Sequence, residues 1–231
     1  MKEEWLETFV DYVGSEQRAA ELLGGAVEVP WTTLGDYLEF LGTKGISTNV
    51  ASFLGATTTR IHELGYADRA PNEEELERMR QLVHTAMREG AMGIGSSLIY
   101  APAFYAKTDE LVAISSVAAE YGGMYISHMR SEGNRLLEAV EELIGISRAA
   151  GLPAEIYHLK QGGEQNWDKL DQFIEMVEAA RAEGLRITAD MYNYIAGSTG
   201  LDAAMPPWVQ EGGSDAWAER LRAPHGFPIR G

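Results

Sequence analysis

Residues 123–158 read GMYISHMRSEGNRLLEAVEELIGISRAAGLPAEIYH. A β-rich run ends in His128, a stretch with apolar residues at helical spacing closes on Gly151, and a second β-rich run ends in His158. Strand, helix and strand over so short a length form a βαβ unit, whose two strands run parallel. The pattern continues outward in both directions. Gly45, Gly90, Gly122, Gly151 and Gly184 each follow a helical stretch, where left-handed backbone costs glycine nothing. Strand-like runs come after them at residues 46–54, 91–97, 123–128, 152–158 and 185–191. The strand ends near Ser97, His128, His158 and Asp190 lie 31, 30 and 32 residues apart. Among the intervening helices, Asn72 and Glu75 have the spacing of a capping box, and residues 171–183 carry an apolar face.

Crossovers repeated this evenly predict an α/β fold with helices outside a parallel sheet, a partial TIM-type (β/α) barrel with about five strands present. A doubly wound open sheet obeys the same local rules. Five units do not close a barrel, which takes eight strands and commonly about 250 residues. Residues 1–231 are therefore expected to be the central part of a single barrel domain that lacks the first and last barrel strands. The stretch from Gly197, GSTGLDAAMPPWVQEGG, reads as a long loop with one helical piece.

Composition narrows the function classes. At 45% hydrophobic and 23% charged residues, the chain of 231 residues has the make-up of an ordinary packed domain. Nineteen basic and thirty-five acidic residues leave a net charge of −16, which argues against nucleic acid as a partner. With no cysteine, a metal bound here must use histidine or carboxylate. The opening MKEEWLETFV lacks the pattern of a secretory signal, and no apolar run approaches the ~18 residues of a membrane span. A cytoplasmic location and no membrane partner are the expectations.

Of five histidines, His128 and His158 share a setting, each ending a β-rich run and each followed two residues later by a cation, Arg130 or Lys160. In a parallel barrel the carboxyl ends of successive strands converge on one rim, so these imidazoles should approach each other. Two neutral imidazoles suit a divalent metal such as zinc. Each could instead cap its strand through a backbone hydrogen bond. Arg130 and Lys160 could hold a substrate carboxylate or pair with nearby acids. His84, within a helix, His62, after a polar turn, and His225, in the tail, are expected at the surface.

Four segments, GAMGIGSSLIYAP (90–102), YISHMRSEG (125–133), IYHLK (156–160) and ADMYNYIAGSTGL (189–201), resemble successive strand-end motifs of the N-acyl-D-amino-acid deacylase, or D-aminoacylase, family. The likeness runs from about residue 30 to residue 209. It implies the metal-dependent hydrolase kind of barrel, distorted and joined to a small β-sandwich, that uses zinc to hydrolyse the amide of N-acylated D-amino acids. By the same resemblance His128 and His158 are metal ligands. Lys160, Tyr192 and Ser198 would hold the substrate carboxylate, with Tyr100 lining the pocket and Arg130 a further substrate-binding candidate. Ser198 could equally cap a helix over residues 199–204, and the two tyrosines could be ordinary packing residues.

The chain also departs from that family. It has no His-x-His pair, no cysteine, and nothing after Glu211 that resembles the strand bearing the general-base aspartate. Gly55-Ala56 stands where the family often has Gly-His. The expectation is a piece covering roughly the third to seventh strands, inactive by itself. Two alternatives remain, a cyclic amidohydrolase of the hydantoinase or dihydroorotase kind and a non-catalytic barrel fragment. Members of the first carry a carboxylated lysine, and no lysine ends residues 91–97.

Overall fold

The computed structural model describes residues 30–222, so the readings of the first ten residues and of His225 lie outside the described residues. The chain divides into two compact units, Met1–Ser52 and Phe53–Gly231, each described by itself. In the first, Thr33 and Asp36 form a capping box, which starts helix α1, Leu34–Lys44. Trp31 packs its ring on Tyr37 and Phe40, at 5.1 and 4.8 Å between centroids. Gly45 closes the helix with φ of 79°.

The strand expected over residues 46–54 is much shorter. It is β1, Leu54–Gly55, which ladders with Ile94 and Gly95. A strand lasts only as long as a neighbour accepts its main-chain bonds, and Ile46 and Val50 stay exposed.

The second unit continues through α2 (Ala56–Leu64), α3 (Glu73–Arg88), β2 (Gly93–Ser97), α4 (Thr108–Glu120), β3 (Met124–His128), α5 (Leu136–Ala150), β4 (Ala154–Ile156), α6 (Leu170–Ala182), β5 (Ile187–Ala189) and α7 (Gly213–Arg222). The capping box of Asn72 and Glu75 is present at the start of α3. All strands are parallel and lie in the order β1-β2-β3-β4-β5. Each strand sits beside its predecessor without reversal, which is how a barrel grows, whereas a doubly wound sheet switches direction. The sheet is open, a partial (β/α) barrel.

Alternation along the strands separates two faces. Ile94, Tyr125, Ala154 and Ile187 stand in one register row and are buried. The next row, Gly95, Ile126, Glu155 and Thr188, carries polar groups, and the Thr188 hydroxyl donates to Glu155 at 2.8 Å. Helical side chains with almost no exposure, Met79, Val83, Leu111, Ile114, Leu136, Val140, Leu143 and Ile146, complete the core. Each contributes on the order of 1.5–3 kcal/mol. A buried ion pair between Arg60 and Glu110, 2.6 Å long, ties α2 to α4, and Arg60 also donates to the carbonyls of Ala67 and Arg69. Burial raises the Glu110 carboxyl, although Arg60 opposes the shift.

Residues after β5 form two short 3-10 turns, Leu201–Ala204 and Pro207–Gln210, before α7. Gly200, not Ser198, opens the first turn, so Ser198 does not cap it. His62 lies inside α2 rather than after a polar turn, with its ring 2.9 Å from Glu63. His84 sits in α3 against the Tyr121 hydroxyl. Among the described residues no helix is long and apolar enough to cross a membrane.

Gly93 is required where β2 meets β3. Its φ is 148°, and a Cβ there would lie 1.9 Å from the Met124 carbonyl oxygen. Gly145, inside α5, has nothing within 4 Å of its missing Cβ. Gly93→Ala is expected to cost about 3 kcal/mol or more in urea unfolding, and Gly145→Ala to gain up to about 1 kcal/mol.

Candidate metal centre at the strand ends

β3 carries His128 as its last residue, with the ring nearly buried. β4 stops at Ile156, two residues before His158. The pairing of Ser127 with Ile156 sets the register. In that register a continued strand would place Tyr157 level with His128 and turn His158 to the opposite face. The chain instead turns, and His158 takes φ of 35°, as the only described non-glycine residue with positive φ. That conformation costs a residue other than glycine on the order of 1–2 kcal/mol. It delivers the ring to the same mouth as His128. Nδ1 of His128 and Nε2 of His158 are 3.0 Å apart, and the rings meet edge to face with centroids 4.5 Å apart.

Glu132 completes the group, four residues after His128 in the HMRSE segment. Its Oε1 is 3.0 Å from His158 Nδ1, 3.8 Å from His128 Nε2 and 2.6 Å from Lys160 Nζ. Among the described residues, His128, Glu132 and His158 form the cluster able to hold a metal ion, with donor atoms within 4.8 Å of one another. Burial, aided by His158 and Lys160, pushes the His128 imidazole down to about 4 against the pull of Glu132. A neutral ring at pH 7 keeps a lone pair for a ligand. Its Nε2 is buried without a hydrogen-bond partner.

The donor set fits zinc. Two nitrogens at the usual Zn–N distance and a tetrahedral angle lie about 3.3 Å apart, close to the 3.0 Å seen. His158 Nδ1 faces the Glu132 carboxylate, which only accepts, and the Lys160 ammonium at 2.8 Å, which only donates. Protonated there, His158 donates to Glu132 and turns the Nε2 lone pair toward His128, the arrangement typical of a metal-bound imidazole.

No family model matches the chain. It is similar to the D-aminoacylase of Alcaligenes xylosoxydans xylosoxydans, with 36% identity over 166 residues, 72% of this chain and 34% of that protein. The N-acyl-D-glutamate deacylase of the same organism is 30% identical over 186 residues, 80% of this chain and 38% of that protein. A crystal structure of D-aminoacylase, described as defining a novel subset of amidohydrolases, superposes with a TM-score of 0.68 at 32% identity, covering 71% of this chain and 35% of that one. Over the stretch it shares with them, the chain is homologous to the N-acyl-D-amino-acid deacylases. The N-acyl-D-glutamate deacylase of Bordetella bronchiseptica, solved with zinc and a phosphonate inhibitor, gives a TM-score of 0.70 at 29% identity over 76% of this chain and 37% of that one. The chain spans about a third of the length of the deacylases it matches.

The remaining sequence candidates divide into those near the histidines and those apart from them. The Tyr100 ring lies 5.5 Å from that of His128, and its hydroxyl bonds to Thr199 at 2.7 Å. Tyr192 sits 6.3 Å from the His158 ring, with Lys160 Nζ 5.4 Å from its own ring centre. Ser198 lies on an exposed loop, with no hydrogen bond to any described residue. The Arg130 guanidinium uses four of its five N–H donors: it pairs with both Glu142 oxygens, at 2.8 and 2.9 Å, and donates to the carbonyls of Phe104 and Ala106. Glu132 is not among the sequence candidates, since one carboxylate among thirty-five acidic residues stands out only once the fold sets it against His128 and His158.

Arg130 therefore braces α5 against the loop before α4. Arg130→Lys removes the planar fork and is expected to lower stability by about 2 kcal/mol in chemical denaturation, leaving the His128 and His158 geometry in place.

Proposed function

We propose that this chain is the central part of a single catalytic (β/α) barrel that hydrolyses the amide bond of N-acyl-D-amino acids, with zinc held by His128 and His158. The observation that carries the reading is the 3.0 Å approach of the two imidazoles at adjacent strand ends. The names of its relatives, D-aminoacylase and N-acyl-D-aspartate and N-acyl-D-glutamate deacylase, supply the substrate class. The outer strands and a β-sandwich belong to sequence beyond the described barrel. A small-molecule substrate and a cytoplasmic location complete the proposal.

The chemistry a zinc ion supplies when bound is a water acidified toward neutrality and a polarised carbonyl. The chain's own residues do the rest. Glu132 accepts a hydrogen bond from the His158 Nδ1–H and so fixes the tautomer. Lys160 has three donors, and Glu132 and the His158 carbonyl occupy two of them, at 2.6 and 3.1 Å. Once His158 Nδ1 carries its proton, the third donor is free for a substrate carboxylate. Clamping that anion at a fixed place relative to the zinc ligands is what selects the D configuration. Tyr192 flanks Lys160, Tyr100 walls the site beside His128, and Ser198 joins the substrate-facing set as a candidate from the family likeness, whereas Arg130, the weaker candidate, spends its donors on Glu142 and two carbonyls.

Zinc titration of the 231-residue chain is expected to show one specific site. Either His128→Ala or His158→Ala should weaken it at least about a hundredfold. Equal affinity in both variants and the native chain would overturn the assignment. In the whole enzyme, Lys160→Ala is expected to raise KM for N-acetyl-D-amino acids about tenfold to a hundredfold, with a smaller change in kcat.

A further inference from the structure

His158 occupies a backbone conformation that its side chain disfavours, and something must hold it there. The Asp190 carboxylate accepts a hydrogen bond from the His158 main-chain N–H at 2.6 Å. Asp190 brackets the turn with its main chain too: its N–H donates to the Ile156 carbonyl at 3.1 Å, and its carbonyl accepts from Leu159 at 2.8 Å. Any residue but proline at 190 could make the outer two bonds. Only a short side chain with an acceptor oxygen makes the middle one, and a carboxylate makes it strongest.

The Asp190 carboxylate does not belong to the metal-binding cluster of His128, Glu132 and His158. Its charge also helps to raise the neighbouring Tyr157 hydroxyl, behind the effect of burial. Without the carboxylate, the register would favour continued strand, which sends the His158 ring to the opposite face from His128.

We infer that Asp190 is a positioning residue that clamps the left-handed backbone of His158 and so keeps its imidazole turned toward His128. The effect on metal affinity rests on the zinc site proposed above, whereas the effect on the backbone does not. Two measurements on the 231-residue chain separate them. The first is a double-mutant cycle in urea, with Asp190→Ala, His158→Gly and the pair. Glycine takes a positive φ unaided, so the drop in unfolding midpoint caused by Asp190→Ala should largely vanish in the His158→Gly background. An equal drop in both backgrounds would overturn the clamp.

The second is zinc affinity by competition with a chromophoric chelator. Asp190→Ala is expected to weaken binding by about tenfold to a hundredfold, whereas Asp190→Asn, which keeps an acceptor oxygen, should stay within about threefold of native. Loss of the same size in Asn and Ala would sink the hydrogen-bond account. If His128→Ala and His158→Ala leave zinc binding untouched, the zinc site fails, and the urea cycle alone still judges the clamp.

Discussion

Two imidazole nitrogens 3.0 Å apart can share one proton or one metal ion, but they cannot both be protonated. The structure around them keeps that approach tolerable. Burial holds His128 neutral, and Glu132 and Lys160 compete for the far nitrogen of His158. The strand order brings the two rings to one mouth, since β3 and β4 are adjacent and parallel. Neither feature suffices alone. Adjacency in a parallel sheet brings strand ends together, but alternation would send one of the two rings away, and the turn at His158 corrects it.

The sequence made the sheet legible because glycine closes each helix and the strand ends recur at nearly constant spacing. Glycines 45, 90, 122, 151 and 184 all have positive φ, and five parallel strands run in sequence order. The bounds were less legible. An apolar alternation such as residues 46–54 records what could be a strand, whereas the strand that forms depends on how far β2 reaches alongside it. For the same reason β4 is three residues long although the β-rich run continues to His158.

The site was legible in its histidines and in the lysine beside them. Glu132 was not, because a carboxylate in a chain with thirty-five acids carries no signal until a partner is placed against it. Arg130 shows the converse. Two residues past His128 it stands where a substrate ligand would, yet Glu142 and two carbonyls occupy its donors. The left-handed turn of His158 was illegible as well, since periodicity reports which face a residue prefers and not where a strand stops.

Charge at the rim bears on how an anionic substrate could be drawn to a chain of net charge −16. Lys160 is offset by Glu132 and Arg130 by Glu142, and Asp190 adds a negative charge beside the turn that forms no ion pair among the described residues. Taken alone, that rim is mildly repulsive to a carboxylate. Neutral imidazoles would add nothing, so a divalent ion held between them would carry its full charge and invert the sign of the local field. On the proposed function, a substrate carboxylate would then be drawn more strongly to a loaded site, where a protonated His158 Nδ1 would leave one Lys160 donor free to meet it. Metal and carboxylate binding are on this account thermodynamically linked through one histidine tautomer, so each should strengthen the other by the same factor.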